Sequence, residues 1–284
     1  MRILMLLLCL VVPPSVRGNQ EAPFVPAFYP FQNGIKFESV DEGVRCIKDL
    51  GYQGVGSVYP KDLKKFKNSC DKEGLRIFSI YAGGTVSADG FSYGPDVSEA
   101  ITILKGTDAL VELNVQRGKN PDDLQAVALV REIAGMAKES GLKVVLYPHA
   151  NFHIERMDHA LRIARATGCD NVGVTFNLCH FLKVQPKSDL LETLEEVKSL
   201  LWSASICGAD SDGTDWSTLI RPLDEGTFDQ VALLRCLRGI GFDGPVGLQC
   251  YNIRTDPMQN LTRSMKAWRK HLDASRIASS VHEP

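Results

Sequence analysis

The sequence lacks the basic stretches that would mark a nucleic-acid-binding protein. Its 32 Lys and Arg residues are balanced by 34 Asp and Glu residues, the formal net charge is −2, and no run of Lys or Arg collects positive charge in one place. Binding driven by phosphate neutralisation therefore finds no support. We expect a small or neutral substrate, and neither nucleic acid nor, for the mature chain, a membrane as a partner. The oligomeric state stays open.

Patterned cysteines are also missing. The chain has eight cysteines, but it has no CxxC pair and no regular spacing of the kind that indicates a disulfide framework. We interpret most of them as small buried apolar residues and expect no disulfide framework. Three of them end predicted strands: Cys179, Cys207 and Cys250.

The apolar run at the N-terminus, residues 3–12, is short. It follows Arg2 and is broken by two prolines. It is too short to span a bilayer comfortably and is typical of the apolar part of a secretion signal. We predict a signal peptide at residues 1–19, a mature domain at residues 20–284, and a periplasmic or extracellular location. An uncleaved anchor is the alternative.

The rest of the chain alternates β-rich runs with amphipathic helical runs. Eight such pairs predict parallel strands with right-handed crossovers, and eight is the number that closes a (β/α)8 TIM barrel. The predicted strands are residues 24–28, 52–58, 75–81, 109–115, 142–147, 172–176, 202–207 and 246–250. The predicted helices are residues 40–50, 62–73, 95–104, 120–140, 154–167, 188–200, 228–239 and 261–271. We also expect a turn at Gly83 and Gly84 and an N-cap at Asn120. A doubly wound sheet is the alternative, but no GxGxxG motif follows an early strand.

The fourth predicted strand carries polar residues on one face. Glu112, Asn114 and Gln116 alternate with apolar residues. Because the apolar face must meet the outer helices, the polar face points into the barrel. Such groups must bond to one another or to a ligand, so an internal network and a ligand-binding role are both open. Glu112 is a candidate acid–base residue, and the two amides are candidate substrate contacts.

Two neighbouring predicted strands end in histidines. The segment LKVVLYPHANF delivers Tyr147 and His149, and NVGVTFNLCHFL delivers Asn177 and His180. Strand ends in a barrel meet at one face, and neutral imidazole serves both as a base and as a ligand for zinc, manganese or cobalt. We therefore take both histidines as candidate catalytic residues and metal ligands, with Tyr147 and Asn177 as substrate contacts. Satisfied core histidines are the alternative.

Further polar residues follow other predicted strands. Asp210 lies in a polar loop that lacks the terminal glutamate of an EF-hand loop, and Trp216 offers a flat surface for a sugar ring. Gln249 ends the last strand. These three are candidate substrate contacts. We expect His153 to cap a helix or face solvent and His159 to lie at the surface.

The segment RPLDEGTFDQVALLRCLRGIGFDGPVGLQ resembles the xylose isomerase-like TIM barrel superfamily of sugar isomerases and epimerases, which shares its fold with endonuclease IV. The acid-Gly-x-x-Asp turn is similar at residues 225–229, and the Gly-aromatic-x-Gly turn at residues 241–244. The closing segment NLTRSMKAWRKHL is similar too. The resemblance covers nearly all of the predicted mature chain.

This resemblance implies a divalent metal held by two glutamates, an aspartate and a histidine. The two glutamate positions fall on Tyr147 and Gln249, and the Asp-x-x-His pair falls on Asn177 and His180. Three anionic ligand positions are thus neutral, so any zinc, manganese or cobalt ion is expected to be weakly bound or absent. Amides also cannot act as general bases.

We therefore expect an exported isomerase or epimerase that abstracts a proton next to the carbonyl of a sugar or oxidised sugar. A keto-sugar lyase on the same scaffold and a non-catalytic carbohydrate-binding barrel are the alternatives. A DNA-repair endonuclease would need more carboxylates and a basic rim.

Overall fold

The computed structural model describes residues 24–276, so the predicted signal peptide lies outside the described residues. The strands are β1 Phe28–Pro30, β2 Gly54–Val55, β3 Arg76–Ile77, β4 Ser79–Ser87, β5 Gly90–Tyr93, β6 Leu110–Arg117, β7 Lys143–Leu146, β8 Val172–Asn177, β9 Leu201–Ile206 and β10 Val246–Leu248. The α-helices are α1 Val40–Asp49, α2 Leu63–Glu73, α3 Pro95–Ile103, α4 Asp123–Glu139, α5 Met157–Thr167, α6 Leu178–Val184, α7 Leu190–Val197, α8 Trp216–Leu219, α9 Gln230–Gly239 and α10 Pro257–Arg276. Within this part of the chain, no helix combines the length and the apolar character needed to cross a membrane.

Hydrogen bonds join the strands into a ring. One sheet has the order β1-β10-β9-β8-β7-β6-β4-β5, in which only β4 and β5 pair antiparallel. β2 pairs with β3, which Phe78 alone separates from β4. The Gly56 N–H donates to the Pro30 carbonyl at 3.1 Å, and the Val58 N–H donates to the Ser79 carbonyl at 3.2 Å. The β2 segment therefore links β1 to β3–β4 and completes the predicted (β/α)8 barrel.

An apolar layer lies between the barrel and its helices. Phe28 of β1 is buried and stacks on Trp268 of α10, with ring centroids 4.2 Å apart. Burying one such side chain contributes about 2 kcal/mol. This contact docks the last helix against the first strand. α10 is longer than predicted at both ends.

The segment after the third predicted strand corrects the sequence analysis. Gly83 and Gly84 do not form a turn but lie inside β4, which runs to Ser87 and folds back as β5. A Cβ on Gly83 would lie 2.9 Å from the Gln116 side-chain nitrogen, and one on Gly84 would lie 2.6 Å from Leu129 of α4. The glycines allow close packing here rather than a change of direction.

The start of α4 and two short helices also differ from the prediction. Asn120 has a φ of 47° and precedes the helix, whereas Asp122 caps α4 by accepting from the Leu124 N–H at 2.7 Å. β8 passes directly into α6, a helix that the sequence analysis missed. Asn177 is its N-cap, because its side chain accepts from the His180 N–H. The single-turn helix α8 was missed as well.

A carboxylate is enclosed by the barrel. Glu112 of β6 is fully buried, and this burial raises its pKa to about 7, although the hydroxyls of Ser79 and Ser57 partly oppose the shift. No described group reaches either carboxyl oxygen with good hydrogen-bond geometry. Glu112 therefore stays protonated at pH values well above those at which an ordinary carboxyl group ionises.

The seven cysteines between residues 24 and 276 are free thiols. The three strand-end cysteines are fully buried. Burial also raises the pKa of the Cys70 thiol to about 12, which keeps it protonated and unreactive.

Candidate active site

A cavity of about 460 Å³ opens at the carboxyl-terminal face of the barrel. Six aromatic side chains line it: Tyr59, Tyr81, Tyr147, Phe152, Trp216 and Tyr251. Four amide side chains line it as well: Asn33, Asn151, Gln249 and Asn252. No Asp, Glu, Lys or Arg occurs among the described lining residues. The walls are therefore neutral, and they are rich in flat apolar surface.

His149 and His180, which come from the loop after β7 and from α6, touch in this cavity. Their ring centroids are 4.0 Å apart. Phe152 stacks on His149 at 3.9 Å, and Trp216 meets His180 edge-on at 5.3 Å. Burial lowers the pKa of His149, and burial together with the nearby His149 lowers the pKa of His180 well below its usual range. Both rings are therefore neutral at neutral pH.

The peptide groups of Ala150 give these two histidines opposite tautomers. The Nδ1 atom of His149 lies 2.9 Å from the Ala150 carbonyl oxygen, an acceptor, so Nδ1 carries the proton. The Ala150 N–H donates to Nδ1 of His180 at 3.3 Å, so that Nδ1 carries the lone pair. It follows that Nε2 of His149 is a free base, whereas Nε2 of His180 is a hydrogen-bond donor.

Two amides converge on the hydroxyl group of Tyr147 beside the histidines. The side-chain nitrogen of Asn177 donates to it, and that of Gln249 lies 3.4 Å away. The amide oxygen of Gln249 accepts from the Tyr251 N–H at 3.0 Å, and that of Asn177 caps α6. Burial raises the pKa of Tyr147 well above its usual value. Its hydroxyl stays protonated and is available as a donor.

The structure brings five of the ten predicted site residues to the cavity wall: Tyr147, His149, His180, Trp216 and Gln249. Asn177 is buried behind Tyr147. The other four do not line the cavity: Glu112, Asn114, Gln116 and Asp210.

These four side chains lie in three different environments. Glu112 lies deeper in the barrel. Asn114 donates to the Ala82 carbonyl at 2.6 Å and accepts from Gln116 at 3.1 Å, which is the internal network that the sequence left open. Asp210 is ion-paired with Arg221 at 2.8 Å.

Sequence reasoning missed the cavity residues Tyr59, Tyr81 and Phe152. Tyr81 closes the third predicted strand, so its position at a strand end was a usable signal. Tyr59 and Phe152 lie in loops, where no periodic pattern marks them.

The side chains at this mouth do not supply the ligand atoms that the divalent ion implied by the resemblance would need. No carboxylate lines the cavity among the described residues, and the amide oxygens of Asn177 and Gln249 already accept hydrogen bonds. His180 carries its proton on Nε2. Coordination through this atom would require the proton to move to Nδ1 and would break the bond from Ala150. The ligand set is too small and too neutral for a hard cation.

A group of side chains that could hold a metal ion lies elsewhere, at the rim. One ligand atom each from Asp123, His153 and His159 lies within 4.8 Å of the other two. The sequence analysis expected capping or solvent exposure for these two histidines. Each is instead hydrogen-bonded to Asp123. Burial raises the pKa of Asp123, but hydrogen bonds from Arg162, His159 and His153 outweigh it and lower the pKa to about 2.

Comparison with known proteins agrees with this architecture. The xylose isomerase-like TIM barrel family profile matches residues 44–271, and the chain belongs to this family. No curated protein matches the sequence.

Solved structures share the fold at low identity. The apo 3-keto-D-glucoside 4-epimerase of E. coli has a TM-score of 0.68 and 18% identity, over 87% of this chain and 99% of that one. An L-ribulose 3-epimerase has a TM-score of 0.68 and 14% identity, over 92% and 100%. The IOLI protein with a bound zinc atom has a TM-score of 0.68 and 14% identity, over 87% and 98%.

Proposed function

We propose that the protein is a sugar isomerase or epimerase that moves a proton at the carbon next to a sugar carbonyl, with His149 as the base. Family membership and the epimerases among its structural neighbours support the reaction class. The opposite tautomers of His149 and His180 carry the assignment of roles.

The proposed reaction begins with a keto sugar lying against the two rings. Nε2 of His149 takes the proton from the carbon next to the carbonyl, and the C–H electron pair forms an enediolate. Nε2–H of His180 and the hydroxyl of Tyr147 donate hydrogen bonds to the oxygen that gains charge. The protonated His149 then returns its proton to the former carbonyl carbon, while the hydroxyl proton of the enediolate passes through solvent to the former carbonyl oxygen, which completes an isomerisation. An epimerisation needs the proton to return from the opposite face.

The cavity favours neutral substrates. It offers no described Lys or Arg side chain to balance a phosphate group. Its aromatic walls suit the apolar C–H faces of a sugar ring, and its amides suit the hydroxyl groups. An unphosphorylated ketose or keto-glycoside is therefore the proposed substrate class.

A second candidate function is carbohydrate binding without catalysis. The absence of a carboxylate among the described cavity residues favours it, since family members that move protons with glutamates need a carboxylate in the site. A lyase that begins with the same proton abstraction is a third candidate, and the same test distinguishes it from the other two.

The test is hydrogen exchange in D2O. The purified full chain is incubated with a panel of neutral ketoses and keto-glycosides, with and without a chelator, and NMR follows deuterium at the carbon next to the carbonyl. We expect exchange that survives chelation and is lost in His149→Ala. His271→Ala, which changes a histidine on α10 outside the cavity, is the matched control. Saturable binding with no exchange would support the binding barrel instead, and loss of a β-substituent would support the lyase.

The exported location remains part of this proposal. The apolar run at residues 3–12 supports a signal peptide ending near residue 19. N-terminal sequencing of the protein from its native compartment checks this. An intact Met1 on cytoplasmic protein would contradict it.

A further inference from the structure

Three segments bring ligand-type side chains together at the rim of the barrel. Asp123 is the first residue of α4, His159 lies in the first turn of α5, and His153 lies in the loop between β7 and α5. Nε2 of His153 lies 2.9 Å from Oδ1 of Asp123, and Nε2 of His159 lies 2.8 Å from the same oxygen.

The two imidazoles are largely enclosed and hence positioned by packing. Their side chains are 10% and 18% exposed, respectively. His153 is also fixed through its backbone, because its N–H donates to the Val115 carbonyl at 2.9 Å at the end of β6. Side chains held in this way lose little freedom when they bind a ligand.

The two oxygen–nitrogen distances are close to those between neighbouring ligands of a tetrahedral zinc site, and the ligand atoms of all three residues lie within 4.8 Å of one another. Zinc–nitrogen and zinc–oxygen bonds of about 2.0–2.2 Å place neighbouring ligand atoms about 3.3 Å apart. An ion entering between Oδ1 and the two Nε2 atoms would need the side chains to separate by only a few tenths of an ångström. Two imidazoles and one carboxylate suit zinc or cobalt and leave a fourth position for water.

Arg162 shows how the carboxylate is shared. Its Nη2 donates to the other oxygen of Asp123, Oδ2, at 2.9 Å, which leaves Oδ1 directed at the two rings. Without an ion, each Nε2 carries a proton and donates it to Oδ1. To coordinate an ion through Nε2, each ring must be neutral and carry its proton on Nδ1 instead.

We infer that Asp123, His153 and His159 form a binding site for a divalent transition-metal ion of the zinc type. The ion fastens the loop between β7 and α5 to both helices. Phe152, the residue directly before His153, lines the cavity, and so does His149 on the same loop. The ion thus stands behind the loop and steadies the wall of the cavity, without taking part in chemistry at the barrel mouth.

The experiment is a titration of the metal-stripped full chain with Co²⁺, followed by its visible absorption, and with Zn²⁺ in a calorimeter. We expect this site to bind one ion per chain, and Zn²⁺ to raise the melting temperature. Asp123→Asn and His159→Ala should each weaken binding more than about tenfold. The variant His149→Ala/His180→Ala should keep the same affinity, since neither residue is a ligand here.

A matched control separates ligand loss from local collapse. Arg162→Gln keeps all three ligands and removes a neighbouring positive charge, so its affinity should equal or exceed that of the unaltered chain. Circular dichroism checks that each variant is folded. Absence of binding by the unaltered chain, unchanged binding by His159→Ala, or loss of binding only in the His149/His180 variant would each overturn the inference.

Discussion

Two pairs of histidines at this barrel face are held by different kinds of partner. The mouth pair, His149 and His180, is oriented by the peptide groups of a single loop residue. The rim pair, His153 and His159, is oriented by one carboxylate oxygen that accepts from both rings. A peptide unit offers a donor and an acceptor, so the first pair becomes one base and one donor. A carboxylate offers only acceptors, so the second pair points two equivalent nitrogens at one place.

This difference separates two functions that the sequence placed on the same residues. The sequence analysis assigned both base chemistry and metal binding to the mouth pair. The local partners favour proton transfer at the mouth and metal binding at the rim. The partner of an imidazole, more than its distance from the cavity, sets what the ring can do.

The largest expected effect comes from removing the mouth pair. His149→Ala/His180→Ala should lower turnover by about 10²- to 10⁴-fold, the usual contribution of a general acid–base group. The rates are measured by the deuterium exchange described above, with the melting curve as the check on folding. Full activity in the double variant would mean that neither ring is catalytic. A site built on Glu112 and Asp210 would then have to be considered.

A second effect tests whether the acid buried below the mouth pair is neutral. The pKa of Glu112 is raised from 4.5 to about 7 by burial. Between these values the unfolded chain has released the proton while the folded chain holds it, so this group destabilises the fold increasingly as pH rises from 4.5 to 7. Glu112→Gln does not titrate. We expect it to be more stable by up to about 3 kcal/mol at pH 8.

The pH dependence serves as the internal control for Glu112→Gln. The gain in free energy of unfolding should shrink towards pH 4.5 and vanish below it, where Glu112 is protonated in both the folded and the unfolded chain. An advantage that stays constant with pH would show that packing, and not the charge on Glu112, explains the change in stability.

The sequence predicted the barrel because its evidence is local and repeated. Each strand–helix unit carries its own hydrophobic periodicity and its own helix-ending residue. Gly74, for example, ends α2 in a left-handed conformation. The cavity was predicted in part for the same reason, since the barrel places the ends of neighbouring strands together. The residues at 149 and 180 therefore could be paired from sequence alone.

What the sequence could not predict depends on packing between distant segments. Asp123 is 30 residues from His153 and 36 from His159, and only the docking of α4 beside α5 brings them together. The tautomers of the mouth pair depend on the orientation of one peptide group at Ala150. The mistaken turn at Gly83 has a similar origin, because the close approach of the Gln116 side chain is invisible in the local pattern.

A smaller effect concerns the wall beside the mouth pair. Trp216 touches His180 edge-on and lines the cavity. Trp216→Leu should raise KM for the sugar about tenfold, or about 1.4 kcal/mol, with a smaller change in kcat, because the ring binds the substrate face without moving a proton. Trp216→Phe, which keeps a flat surface, should recover most of the loss. A fall in kcat alone would instead indicate that Trp216 acts by orienting His180.

The smallest effect belongs to the rim pair when no metal is present. Asp123→Asn removes the negative charge that two imidazoles and Arg162 share, yet the Asp123 side chain is 41% exposed, so solvent screens much of this interaction and the loss should stay below about 1 kcal/mol. The folded-state pKa is lowered from 3.8 to about 2. The stabilisation is therefore complete above pH 3.8 and is lost as pH falls through 2. The free energy of unfolding, measured in chelator, should be lower for the variant than for the unaltered chain at pH 7, and this difference should be much smaller at pH 2. If the variant lost more unfolding free energy at pH 2 than at pH 7, the charge on Asp123 would not be what holds the rim pair. The contrast with the mouth pair, which is held by peptide groups, would then fail.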